Sequence, residues 1–138
     1  MLLYSRTMPR QDHERLTDAA KLAAHSSSTH TRYLNWFRTD LRRARVVPPA
    51  EVPPNVITMN SRFAIEDPEG VGSMCLSLVY PEFAAPREGR ISVLSPMGMV
   101  LLGARVGEEV AWSSADGPRA AKVLRLLYQP EAAGDFHL

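Results

Sequence analysis

Four of the seven residues from Pro48 to Pro54 are proline (Pro48, Pro49, Pro53 and Pro54), and no other stretch of the chain restricts the fold so strongly. Proline holds φ at about −65° and lacks the N–H that a helix interior or an inner strand requires. A run this dense reads as an extended, stiff connector. It divides the chain into residues 1–47, a linker over 48–54, and a body over 55–138. Charge divides the same way. Residues 1–50 carry nine Lys/Arg against four Asp/Glu, whereas residues 51–138 carry seven against eleven. The formal net charge of +1 therefore conceals a basic leading third and an acidic body, a pattern that suggests two modules with different tasks.

Upstream of the prolines the pattern is helical. Residues 1–10 read as a loose tail. From about Asp12 to His25, Leu16, Ala20 and Ala23 recur at helical spacing. Ser26-Ser27-Ser28-Thr29 interrupts the run and supplies cap residues. From about Thr31 to Arg45, Leu34, Phe37, Leu41 and Ala44 form a second apolar seam. Two helices of about 15 residues, roughly 22 Å each, with a short link predict a coiled-coil-like antiparallel hairpin. It would be marginal alone and would lean on the body.

Downstream the pattern is mainly strand-like. One strand is expected over about Asn55–Ile65, with Ile57, Met59, Phe63 and Ile65 on one face. Asp67-Pro68-Glu69-Gly70 is a type I turn signature. Ser73–Tyr80 follows, with Met74, Leu76, Leu78 and Tyr80 inward, and then Arg90–Leu94. Ser95-Pro96 offers an N-cap and a proline at the first helical position. Met97–Leu102 lacks a polar face, so that helix must be enclosed. Two more strands, about Glu108–Ser113 and Arg119–Gln129, flank a turn at Asp116-Gly117. The fold class is α+β: an antiparallel sheet wrapped around one short buried helix, preceded by the hairpin.

With 45% hydrophobic and 22% charged residues the chain is globular rather than disordered. No apolar run approaches the ~20 residues needed to cross a bilayer. Met1–Tyr4 is too short for the core of a signal peptide. The single cysteine, Cys75, can form no internal disulfide, and the expected location is the cytoplasm.

Several ordered segments carry a resemblance: Val56-Ile57-Thr58-Met59-Asn60-Ser61-Arg62, Leu78-Val79-Tyr80-Pro81, Ile91-Ser92-Val93-Leu94-Ser95-Pro96-Met97-Gly98, Leu101-Leu102-Gly103 with Val106-Gly107, and Leu127-Tyr128-Gln129-Pro130-Glu131-Ala132-Ala133-Gly134-Asp135. Together they resemble the C-terminal domain of the bacterial GreA/GreB transcription factors, and especially the shorter Rnk-type branch of that family. The resemblance covers about residues 52–138. It implies an FKBP-like fold for the body and bacterial RNA polymerase as partner, with docking at the rim of the secondary channel. Glu108, Met99 and Phe136 depart from the family pattern, and Met99 needs room beside the buried helix. The Rnk-type likeness also implies an influence on nucleoside diphosphate kinase levels, direct or indirect.

In Gre factors a long coiled coil carries acidic residues to the polymerase active centre, where they help hold magnesium through hard oxygen ligands. Here the link from His25 to Thr31 contains no Asp or Glu, and Asp18 and Asp40 lie about two turns or more back. The expectation is a regulator that competes with Gre factors without stimulating transcript cleavage. The resemblance points to Ser95 and Pro96 as polymerase-binding residues, with Leu94 and Met97 as apolar flanks. Contact with DNA is expected only through polymerase, no membrane is involved, and a monomer is favoured.

Other candidates are weaker. Arg32, Arg38, Arg42, Arg43 and Arg45 offer a basic hairpin face, but without interleaved aromatics it reads as a solvated surface. Phe37 reads as core and Trp36 as partly covered. His13, His25, His30 and His137 do not converge as metal ligands would. Glu108 and Glu109 alternate across a strand, which argues against an acid–base pair. Cys75 reads as plain packing rather than a nucleophile. Neither a Walker A nor a dinucleotide glycine pattern occurs. No catalytic residue, cofactor or metal is expected. The alternatives are an FKBP-like prolyl isomerase, with Phe63, Tyr80, Phe83, Trp112 and Tyr128 as its aromatic candidates, and a scaffold that pairs hairpin with hairpin.

Overall fold

Two helices precede the prolines in the computed structural model, which describes residues 6–25, 31–67 and 70–138. They are α1 (Arg10–Ala24) and α2 (Thr31–Arg42). Leu16 and Ala20 of α1 are buried, as are Leu34, Phe37 and Leu41 of α2. His13 near the start of α1 bonds through Nε2 to the carbonyl of Leu41 near the end of α2, at 2.9 Å. The serine-rich link, including His30, lies outside the described residues.

The tail reading fails for residues 6–9. Strand β1 (Thr7–Pro9) pairs in parallel with β2 (Arg45–Val47), and Arg6 and Met8 are among the most deeply buried side chains. Apolar alternation is invisible in so short a strand, and an arginine at its start argues against burial on sequence grounds.

The proline segment is likewise less detached than a linker. After β2 it makes a 3-10 turn at Pro49–Glu51, and Val52 and Val56 sink into the interior. Leu16, Phe37 and Leu41 belong to the same buried cluster as Ile57, Phe63, Leu78, Leu101 and Val123. One core therefore serves both parts of the chain.

The body contains β3 (Arg62–Glu66), β4 (Ser73–Val79), β5 (Arg90–Ser92), helix α3 (Pro96–Leu101), β6 (Glu109–Ser114), β7 (Gly117–Tyr128) and a closing turn of helix α4 (Pro130–Ala133). The sheet order is β5-β4-β3-β7-β6. Register shifts in the β3–β7 pairing mark the irregularities that let such a sheet curl. Met99, Val100 and Leu101 of α3 are buried, as a helix without a polar face requires.

Three details depart from expectation. The sheet is mixed, because β4 and β5 run parallel. Two proline-initiated 3-10 turns, Pro81–Phe83 and Pro86–Glu88, carry the chain across so that β5 returns in the same direction as β4. The first body strand begins at Arg62, not Asn55: residues 56–59 are buried consecutively rather than alternately, and Asn60 adopts φ 66°, which ends any extended run. Met74 is exposed beyond the sheet's covered face. In the Asp67–Gly70 turn, Pro68 and Glu69 lie outside the described residues, and the Gly70 N–H donates to the Asp67 carbonyl at 2.8 Å.

Candidate functional site

Ser95 starts α3 as its spacing predicts. Its Oγ accepts from the Gly98 N–H at 3.0 Å and donates to the Ser92 carbonyl at 2.7 Å. Pro96 occupies the first turn, where its missing N–H costs nothing. Gly98 has to be glycine: a Cβ there would stand 2.0 Å from the Ser92 carbonyl oxygen. The chain thus folds back on itself at the helix start and presents Ser95, Pro96 and Met97 to one side.

That side is a groove of about 670 Å³. Its walls include Tyr33 from α2, Ile91 from β5, Pro96 and Met97 from α3, and Trp112 from β6. The strands at the two ends of the sheet order both border it. A second recess of about 520 Å³ shares Tyr33 and Trp112 and adds Arg32, Trp36 and Val100. Leu94 does not join the other three expected contact residues. It lines a separate groove of about 950 Å³, together with Leu22 of α1 and Tyr80 and Phe83 of the crossover. Leu22 is 76% exposed and Phe83 62% exposed. The turn at residues 93–94 divides the expected patch between two faces.

Arg32, Arg42, Arg43 and Arg45 are exposed, while Arg38 is half-buried. Phe37 is fully buried and Trp36 half-buried. Cys75 lies exposed on the outer face of β4, so the packing expected for it does not occur. Glu108 accepts a hydrogen bond from the Arg105 N–H and so braces its own turn. Of the aromatic candidates, Phe63, Tyr80 and Trp112 are buried, Tyr128 is half-buried, and Phe83 stands out to solvent. Met99 finds its room at 1% exposure. Among the described residues no group of three or more His, Cys, Asp or Glu could hold a metal ion, and no helix is long and apolar enough to cross a membrane.

Local sequence patterns do not reveal the chemically loaded interior. Arg6 lies buried with its Nε bonded to Asp40, and its Nη1 donates to the carbonyls of Met99 and Leu102. Burial pushes its pKa down, and Asp40 works against that shift. A second cluster gathers on residues 58–61. Asp12 of α1 accepts from the Met59 N–H at 3.2 Å, and Glu131 of α4 accepts from the Thr58 hydroxyl. Burial and the neighbouring Glu131 carboxyl push Asp12 up to about 7, and burial also raises Glu131. Gln129 donates to the carbonyls of Pro53 and Val56 at 2.8 and 2.6 Å. The Tyr128 hydroxyl donates to Asp135. The closing Tyr-Gln-Pro-Glu run therefore ties the proline segment and Val56–Thr58 to the end of the sheet, while Asp12 joins α1 to Met59. The signal for it in the sequence was that same run, visible as a motif but not as a set of contacts.

A curled mixed sheet around a proline-started helix, with an apolar groove beside that start, defines a domain of the Gre transcription-factor class. The chain belongs to the GreA/GreB family: residues 52–128 match the family model described as transcription elongation factor, GreA/GreB, C-terminal. It is 39% identical over 103 residues to the regulator of nucleoside diphosphate kinase of Escherichia coli strain K12, covering 74% of this chain and 76% of that protein. It is 28% identical over 103 residues to transcription elongation factor GreA of Solidesulfovibrio magneticus, covering 74% of this chain and 63% of that protein. A solved GreA/GreB elongation factor from Nitrosomonas europaea superposes with a TM-score of 0.74 at 30% identity, over 91% of this chain and 99% of that one. These relatives are named as regulators and transcription factors, not as catalysts.

Proposed function

We propose that this protein binds RNA polymerase at the rim of its secondary channel through an FKBP-like body, and competes with Gre factors there without stimulating transcript cleavage. The observation that carries this reading is the groove beside Ser95, Pro96 and Met97, floored by Trp112 and walled by Tyr33. An apolar recess around a rigid helix start is the kind of surface that anchors a partner side chain. The polar and apolar parts of the motif divide the work: Ser95 holds the backbone, and Pro96 and Met97 present carbon.

The absence of cleavage follows from the acids. The link from His25 to Thr31 offers no carboxylate, and Asp40 of α2 is committed to Arg6. A Mg²⁺ site needs hard oxygen donors at the tip. The protein would act by occupancy, keeping Gre factors from the same rim.

The test is a gel shift with core polymerase, followed by competition against a Gre factor. Ser95→Glu and Pro96→Ala should weaken binding about tenfold, the usual scale for an anchor at an interface centre. No complex at micromolar protein, or undiminished competition by both variants, refutes the docking assignment. In a cleavage assay on backtracked complexes the rate should equal that of polymerase alone, and robust acceleration refutes the blocking mechanism.

A further inference from the structure

We propose that Arg6 is a positioning residue for the groove beside Ser95–Met97: a latch that sets how closely α2 approaches α3. The inference rests on the docking reading for its consequence, though not for its geometry.

One guanidinium joins the two helices that wall the groove. Nε bonds to Asp40 on α2, and Nη1 donates to the carbonyls of Met99 and Leu102 at the end of α3. Its central carbon lies 5.1 Å from the ring centres of both Trp36 and Phe37 on α2. The Arg45 N–H donates to the Arg6 carbonyl at 2.7 Å, which fixes the backbone. Gly103 leaves the necessary space, since a Cβ there would lie 2.8 Å from the Arg6 Cβ.

The groove uses the same two helices one turn away. Tyr33 precedes Trp36 by three residues on α2, and Pro96 precedes Met99 by three on α3. Separation at the latch therefore propagates to Tyr33 and Pro96. A planar fork can serve a carboxylate and carbonyls together, which a lysine ammonium cannot do in the same geometry. Nη2 is buried without a hydrogen bond, so the cation's desolvation is incompletely offset. The latch is closed by geometry with little energetic reserve, and losing either anchor should free the helices.

The experiment uses the full chain in a Trp36→Phe background, which leaves Trp112 in the groove as the sole tryptophan. Acrylamide quenching of Trp112 is compared with and without Arg6→Met, with far-UV circular dichroism confirming that the variant is folded. Quenching should rise about twofold, as for a local opening rather than global unfolding. Polymerase affinity should fall about fivefold, the scale of a positional coupling. If Arg6→Met does not fold, Asp40→Ala is read in the same way, since it keeps the cation and removes its acceptor on α2. A folded variant with unchanged Trp112 quenching overturns the proposal, as does unfolding of both variants, which would make Arg6 merely structural. If the parent chain binds no polymerase, the docking reading fails, and the latch is judged on Trp112 alone.

Discussion

Buried polar side chains decide much at the scale of the residue. Asp12 is 1% exposed, and its carboxyl faces Glu131, Arg15 and the Met59 N–H. Its folded pKa of about 7 lies well above the ordinary aspartate value of about 4. Between those two values the folded chain keeps a proton that the unfolded chain has released, so this group's contribution to stability falls as pH rises from about 4 to 7 and is flat above. Three pH units correspond to at most about 4 kcal/mol. Asp12→Asn keeps an acceptor for Met59 and cannot ionise. Its stability relative to the parent should rise across that window, by an amount up to this limit, in denaturant titrations at successive pH values. A difference independent of pH between 4 and 7.5 would refute the assignment.

Other residues show why composition alone misleads. Arg6 belongs to a residue type almost never fully buried without a partner. It is buried here because the end of α3 offers carbonyls and α2 offers Asp40. Nothing within four residues of Arg6 in the sequence announces either partner. The cap role of Ser95 and the core role of Phe37 were legible, because both depend on neighbours one helical turn away.

Elements are legible in the sequence where periodicity is long and hidden where it is short. The inner face of β6 carries the apolar residues that alternation assigns to it, Val110 and Trp112, whereas residues 56–59 are buried without alternation. β1, at three residues, leaves no period to detect. The existence of β5 is legible in Arg90–Leu94, but its direction depends on the two 3-10 turns of the crossover. The tie between the end of β7 and the proline segment also belongs to this scale. Gln129 satisfies the carbonyls of Pro53 and Val56 and caps α4 through Ala132. Gln129→Ala leaves both carbonyls without this partner and should cost about 2 kcal/mol. Faster hydrogen exchange confined to residues 52–61 and 129–134 would accompany it, and an unchanged urea midpoint would contradict it.

At the scale of the whole molecule, the helices and the body share one buried cluster among the described residues. Leu16, Phe37 and Leu41 from the helices pack in the same cluster as Met99, Leu102 and Val123 from the body. A split into two modules by charge and prolines therefore does not entail two units of stability. Thermal unfolding followed by tryptophan fluorescence and by far-UV ellipticity should give one coincident transition. Two separated transitions would show that the helices melt from the body independently.

The order of helices, prolines, strands and the Ser-Pro helix start was written in local patterns, and those patterns sufficed to point to the family. Apolar spacing, caps and turn residues act within a few positions, so a linear string carries them intact. The burial of Arg6, the meeting of Asp12 with Glu131, and the division of Leu94 from Ser95–Met97 between two grooves came only with the fold. Each depends on groups brought together across a sheet or between helices, where desolvation and hydrogen-bond geometry decide the outcome and distance along the chain carries no trace of them.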